Sequence, residues 1–310
     1  MPQPVKGNCG GIWLKKLLVI GASGLLGSKI VRIASEKFAV SGTYNPQVDG
    51  EDLWRLEALD LGSKDDVERL FFKVDPNAVI LTAAMTNVDA CEREPLVANR
   101  VNASGPMIVA RACREHGARL VHVSTDYVFD GTKSRKYKET DVPRPISVYG
   151  SSKLTGEKAV LSTMPDAAVV RTAVLYGWNP IEGKDNFVTW VLKKLRSNEK
   201  VTLFDDQHIS PTFADDLADA LVGILQQGAS GLFHVCGPDC INRVDSGMMI
   251  ADAFGLDKNL IVPVRSEAVR LPARRPAYSC LDSSKAEKLL GRKLISLDAG
   301  LARMRELEDE

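Results

Sequence analysis

Tyr149 and Lys153 stand four residues apart in Tyr149-Gly150-Ser151-Ser152-Lys153, and in a helix that spacing puts both on one face. An ammonium beside a phenol stabilises the phenolate and draws its pKa down from about 10, which makes tyrosine a usable general acid for a developing alkoxide. Upstream, Ser124-Thr125-Asp126 closes an apolar run, so the Thr125 hydroxyl is placed to hold a substrate carbonyl at the same spot. Tyr-x-x-x-Lys is common by chance, and its plain reading is a surface tyrosine and lysine. A second signal, earlier in the chain, gives it meaning.

Gly21-Ala22-Ser23-Gly24-Leu25-Leu26-Gly27 follows the apolar run Leu17 to Ile20 directly and opens an amphipathic helix. Glycines at this spacing permit a tight turn and let backbone N–H groups and a helix N-terminus approach a pyrophosphate. The loop predicts dinucleotide binding through Gly21, Ser23, Gly24, Leu25, Leu26 and Gly27; a glycine-rich turn without ligand is the plainer alternative. An NAD site usually carries an acid about 20 residues on, to bond the ribose 2′-hydroxyl. Here the second strand ends Thr43-Tyr44-Asn45-Pro46, with no acid until Asp49, so NADPH is the expected cofactor. No arginine sits there either, which leaves NADH open. Asp60 and Leu61 are placed to meet the adenine edge, with a loop or capping carboxylate as the alternative.

These residues need a scaffold, and the chain spells one out. Short β-branched runs at 17–20, 39–44, 56–61, 78–81, 119–124 and 168–171 alternate with helical stretches at 25–36, 63–73, 89–116 and from about 148. That rhythm predicts an α/β fold with a Rossmann-type doubly wound parallel sheet, its strands apolar throughout because both faces are covered. The catalytic strings fall at strand carboxyl ends, where such sheets bind ligands. After residue 175 the pattern loosens, with helices expected at 186–197, 213–227, 243–254, 283–290 and 297–308. The expected division is a dinucleotide-binding domain over 14–172 plus roughly 200–232. A smaller substrate-binding lobe takes roughly 173–199 plus 233–310, and residues 1–13 form a loose leader.

Composition excludes other classes. The 310 residues carry 40 basic and 40 acidic side chains, so no bulk charge is present to hold nucleic acid or an anionic membrane. No run of 18 apolar residues suggests a span. Six cysteines at 9, 91, 113, 236, 240 and 280 form no CxxC pair, and they are read as reduced thiols in a cytoplasmic protein. His234, Cys236 and Cys240 lack a fourth ligand, so no metal is expected. The run Lys133 to Lys138 reads as a solvated loop, with a pyrophosphate clamp as the sharper alternative. Glu157 is read as a solvent-facing ion-pair partner.

Taken in order, 21–27, 124–131 and 149–160 resemble an extended short-chain dehydrogenase/reductase, and Ser124 to Gly131 is similar to the dTDP-4-dehydrorhamnose reductase family in particular. Val101-Asn102-Ala103, Asp141 to Pro145, Arg171-Thr172, Asp205 to Thr212 and Ala273 to Pro276 match further segments, so the resemblance covers nearly the whole chain. It implies NADPH-dependent reduction of the C4 ketone of a nucleotide-activated 6-deoxy sugar, with dTDP-4-dehydro-L-rhamnose going to dTDP-L-rhamnose. It implies that Tyr149 delivers the proton, Lys153 binds the nicotinamide ribose, and Thr125 orients the carbonyl. Ala83 and Ala84 would line ribose and nicotinamide, with Thr86, Asp126 and Arg275 toward the substrate; for Arg275, bracing a loop is the alternative. The partner is then a small nucleotide sugar, with a homodimer allowed.

Met85 and Gln207-His208-Ile209 depart from the family pattern where a sugar ring would be read. They leave the hexose open. Two other functions fit the scaffold: another nucleotide-sugar reductase or epimerase, and a non-catalytic regulatory subunit resembling that of methionine adenosyltransferase.

Overall fold

The computed structural model describes residues 15–46, 56–181 and 183–308. The proposed leader and Asp49 lie outside the described residues. The chain opens β1 (Lys16–Ile20), α1 (Leu25–Ala34), β2 (Ala39–Tyr44), β3 (Glu57–Ala58), α2 (Lys64–Val74), β4 (Ala78–Leu81). It continues with α3 (Val88–Arg93), α4 (Pro95–Asn99), a π-helical turn (Arg100–Ser104), α5 (Gly105–His116), β5 (Arg119–Thr125), α6 (Val148–Thr163) and β6 (Ala168–Thr172). Then come β7 (Leu175–Tyr176), α7 (Phe187–Arg196), β8 (Val201–Phe204), β9 (His208–Ile209), β10 (Thr212–Phe213), α8 (Ala214–Gln226) and β11 (Gly231–His234). The last elements are β12 (Ile241–Asn242), α9 (Arg243–Ala253), β13 (Ile261–Val264), α10 (Ser284–Leu290) and α11 (Leu297–Glu306).

Seven strands form one parallel sheet in the order β11-β6-β5-β4-β1-β2-β3. Because side chains alternate along a strand, β1 sends Leu17 and Val19 to one apolar layer with α1 and α8, and Leu18 and Ile20 to the other with α2, α5 and α6. All four are fully buried, which contributes about 1.5–3 kcal/mol each. The chain leaves β1 toward β2 and returns to β4 on the other side. That reversal opens a crevice between the carboxyl ends of β1 and β4. A third apolar cluster, including Tyr176, Leu192, Leu203, Ile250, Leu301 and Met304, packs the segments after β6.

Three expectations about elements are corrected. The third strand pairs only Thr43 with Glu57 and Tyr44 with Ala58, because it is an edge strand with one partner. The helix expected over 89–116 is broken: Pro95 starts a new helix and disfavours helical backbone at Glu94 before it, and a π turn follows. In that turn the fully buried Asn102 accepts the Met85 N–H (2.8 Å) and donates to the Met85 carbonyl (3.0 Å) and to Ser152 Oγ (3.1 Å). Glu157 is not at the solvent face; it is 2% exposed and paired with Arg171 across the helix–sheet interface.

The cysteine reading is corrected for two of the six. The turn at Gly237-Pro238 brings Cys240 against the segment that follows Pro276, and Cys240 is disulfide-bonded to Cys280, 40 residues on. Cys91, Cys113 and Cys236 are buried free thiols, and Cys9 lies outside the described residues. Closing a loop of that length restricts the unfolded chain, so Cys280→Ser is expected to lower the unfolding free energy by about 2–4 kcal/mol. Urea unfolding of both proteins without reductant measures it, and added dithiol should erase the difference. Equal midpoints without reductant would refute the expectation.

Candidate active site

A cleft of about 1050 Å³ opens at the crevice between β1 and β4. Its walls bring together Gly21, Ser23, Gly24, Leu25, Leu26 and Gly27 with Asp60, Leu61, Ala83, Ala84 and Thr86. Thr125, Asp126, Tyr149 and Lys153 complete the same cleft. Of the residues predicted from sequence, only Arg275 does not line it. Arg275 spans to Asp89 with two bonds of 2.7 Å and also donates to the Ala273 carbonyl, so its charge is spent on bracing a loop.

Thr125 ends β5 and caps the short turn Asp126–Val128, accepting the Tyr127 N–H at 3.2 Å and donating to Asp126 Oδ1 at 3.0 Å. Tyr149 lies in the first turn of α6, which Ser147 caps by accepting the Gly150 N–H. A side chain at Gly150 would meet the Tyr127 carbonyl at 2.1 Å, so glycine is what lets α6 approach this turn. The rings of Tyr127 and Tyr149 meet edge to face with centroids 5.7 Å apart. Lys153 is buried and donates to the Val123 carbonyl at 2.7 Å.

The electrostatics differ from the expectation at Tyr149. Burial pushes the phenol well above its ordinary value, and although the Thr125 hydroxyl pulls the other way, Lys153 is engaged with backbone. Burial likewise lowers Lys153 to about 8, partly offset by the Glu157 carboxylate. A protonated phenol and a lysine that titrates near neutrality suit an acid that gives up a proton once charge develops on substrate.

The glycine loop fits a dinucleotide. A side chain at Gly27 would meet the Gly21 carbonyl at 2.0 Å, so helix and loop touch through backbone alone. Helix α1 has no side-chain cap and no acid in its first turn, which leaves its positive end facing the cleft for an anion. Thr43, Tyr44, Asn45 and Pro46 line the cleft beyond the glycine loop, and none of them is an acid. Asp60 pairs with Arg100 and accepts the Gly62 N–H at 2.9 Å.

Asp126 is fully buried, and its Oδ2 has no hydrogen-bond partner among the described residues. Burial raises the carboxyl to about 6, against the opposing pull of the Ser279 and Thr125 hydroxyls. A carboxyl with a raised folded pKa holds its proton more tightly when folded, so stability falls as pH climbs from about 4 to about 6, by up to about 3 kcal/mol. Asp126→Asn should remove that slope. Urea unfolding of both proteins across this range tests it, and parallel curves would contradict the assignment.

The family model described as the RmlD substrate binding domain matches residues 15–308. A dTDP-4-dehydrorhamnose reductase of Mycobacterium tuberculosis is 38% identical over 276 residues, covering 87% of this chain and 85% of its own. The chain belongs to the dTDP-4-dehydrorhamnose reductase family. A probable low-salt glycan biosynthesis reductase, Agl14, of Haloferax volcanii is also 38% identical, over 92% of this chain and 95% of its own. Among solved structures, the dTDP-4-dehydrorhamnose reductase of Bacillus anthracis in complex with NADP superposes with a TM-score of 0.85 at 28% identity, covering 95% of this chain and 99% of that one.

Several residues of this reductase-family site escaped the sequence reading. Arg100 and Lys184 line the cleft, and Asn102 ties the Met85 backbone, and so the loop bearing Ala83 to Thr86, to α6. Arg243 opens α9, bonds Gln207 at 3.2 Å, stacks on Phe187 and acts on Tyr127 and Asp126. No local pattern marks Arg243 or Ser279, because the chain brings them in from more than 100 residues away. Two cations of the basic run beside the site are neutralised locally: Arg135 and Lys133 converge on Asp141 and hold it far below the usual carboxylate range. His234 Nδ1 donates to the Tyr137 carbonyl at 3.1 Å, and Cys240 is consumed by its disulfide. Among the described residues no cluster is arranged to hold a metal, and no helix is long and apolar enough to cross a membrane.

Proposed function

We propose that this chain reduces the C4 ketone of a nucleotide-activated 6-deoxy sugar with NADPH, converting dTDP-4-dehydro-L-rhamnose to dTDP-L-rhamnose. The convergence of Thr125, Tyr149 and Lys153 with the glycine loop in one cleft carries the reading. Gly21, Ser23 and Gly24 to Gly27 hold the pyrophosphate, Asp60 and Leu61 the adenine edge, and Ala83 and Ala84 the ribose and nicotinamide. Bound NADPH supplies a hydride to the carbonyl carbon. Thr125 orients the carbonyl oxygen, and Tyr149, kept protonated by burial, gives that oxygen its proton as the charge appears. Lys153 holds the nicotinamide ribose and compensates the phenolate left behind. Thr86 and Asp126 face the sugar, while Arg275 stays with Asp89.

The names of the relatives support this reading, and so does NADP in the Bacillus anthracis structure. On the same reading residues 14–172 plus roughly 200–232 form the cofactor domain, and the rest of the described chain forms the sugar lobe. The enzyme works in the cytoplasm, where NADPH and nucleotide sugars are made. The test is loss of NADPH absorbance with enzymatically generated dTDP-4-dehydro-L-rhamnose, run beside NADH and beside UDP-linked keto sugars. Turnover with the dTDP sugar and a lower KM for NADPH is expected. NADPH binding without turnover of any keto sugar would overturn the reading.

A further inference from the structure

Behind the catalytic lysine lies a layer of buried polar side chains that the reduction itself does not use. Glu157 sits one helical turn after Lys153 on α6, and both are 2% exposed. Arg171 holds its carboxylate with two bonds, Nε to Oε1 at 2.9 Å and Nη2 to Oε2 at 2.7 Å. Ser124 Oγ donates to the same Oε1 at 2.5 Å. Ser124 and Arg171 are register partners across β5 and β6, and Ser124 follows Val123, whose carbonyl receives Lys153 Nζ. One carboxylate therefore fastens the helix carrying Tyr149 and Lys153 to both strands beneath it.

Stability alone is a weak account of this arrangement. Taking two charges out of water costs about as much as their attraction returns, and a well-packed apolar pair of equal volume would often hold helix to sheet as well. What an apolar pair lacks is a negative charge beside a lysine that must stay a cation in a water-poor layer. The groups around Lys153 and its neighbour Tyr149 make the need specific. On β5, His122 is buried with neither ring nitrogen partnered among the described residues and is kept neutral by burial, and Asp126 lies just past the strand end. On β6 stands the Arg171 cation; Tyr149 and Glu157 share α6, and Cys91, a thiol pushed up by burial, lies on α3 and acts on Tyr149. Glu157 is the group that offsets the effect of burial on Lys153.

We propose that Glu157 is a positioning residue for Lys153: held by Arg171 and Ser124, its carboxylate keeps the Lys153 ammonium charged and seated on the Val123 carbonyl, without touching sugar or cofactor. The turnover part of this proposal rests on the ketone-reductase reading above.

The test compares Glu157→Gln, Arg171→Gln and the paired Glu157→Gln/Arg171→Gln variant in two profiles against pH: kcat with the dTDP keto sugar, and NADPH affinity by fluorescence, which needs no turnover. Glutamine keeps the shape of Glu157 and removes its charge; its one carbonyl oxygen still accepts from Ser124 and Arg171 Nε, while its amide nitrogen no longer accepts from Arg171 Nη2. Loss of a nearby opposite charge is worth about one pH unit or more, so the alkaline limb of Glu157→Gln should move down by about that much, with the deficit growing as pH rises. Arg171→Gln, which leaves the carboxylate without its partner cation, should move the limb up. The paired variant carries neither charge and should return it toward the parent. If Glu157→Gln does not fold, the opposite shift in Arg171→Gln decides by the same rule. An unmoved limb in the folded variants, or a drop independent of pH in all of them, overturns the proposal and leaves the network as packing. No sugar turnover in the parent, with shifting NADPH profiles, overturns the sugar reading and supports the role of Glu157.

Discussion

Tyr149→Phe is expected to lower kcat about a thousandfold while NADPH affinity stays within about threefold. The ring keeps its packing, since Phe preserves the edge contact with Tyr127, and only the hydroxyl is lost. That hydroxyl is the proton source in the proposed reaction, and a thousandfold loss corresponds to about 4 kcal/mol at the transition state. Burial holds the phenol above its ordinary value, so the acid stays protonated through neutral pH, and the alkaline limb of the reaction belongs to Lys153. Activity is then present below about pH 8 and lost as pH rises through that value. Single-turnover oxidation of NADPH separates chemistry from binding. A Tyr149→Phe enzyme within tenfold of the parent would remove Tyr149 as the donor.

The cleft was legible where chemistry follows local order. Strand, glycine loop and helix are contiguous in Leu17 to Ile33, and the four-residue step from Tyr149 to Lys153 is a property of any helix. Chain order and the carboxyl ends of β1, β3, β4 and β5 then bring these strings to one place. The misses share a different cause. Glu157 lies a further four residues along the same helix face as Lys153, yet a charged residue defaults to solvent unless its partner is known. That partner, Arg171, comes from the next strand. Arg243, Ser279 and the Cys240–Cys280 bond arrive through the segments after β6, where the periodicity weakens. Equal numbers of acids and bases say that attraction for an anionic substrate is not spread over the surface. The structure refines that: Arg100 in the cleft and Arg275 outside it are each paired with a carboxylate, on Asp60 and Asp89. On the proposed reading the cofactor's phosphates rest chiefly on backbone, at the loop and the first turn of α1, with Lys184 a cation of the same cleft.

That dependence on backbone sets up the second large effect, in Gly27→Ala. A methyl group at residue 27 would stand 2.0 Å from the Gly21 carbonyl oxygen and 2.8 Å from the Ala22 Cα, and neither is the end of a flexible side chain. Backbone must move: either the loop lifts away from α1 or the helix withdraws from the sheet. Helix α1 cannot withdraw cheaply, because Leu26, Ile30 and Ala34 are packed into the apolar layer with α8. The loop is the part that yields, and a displacement of an ångström or so misdirects the N–H groups proposed to meet the pyrophosphate. Hydrogen bonds to a charged group contribute about 1.5–3 kcal/mol each, so losing two of them weakens NADPH binding by about a hundredfold or more. The folded fraction should fall less, since the sheet and both apolar layers are kept. Titration of NADPH fluorescence beside a urea melt separates the two quantities. Affinity within threefold of the parent would mean that the phosphates are held elsewhere, and Arg100 or Lys184 in the same cleft would be the side chains to examine next.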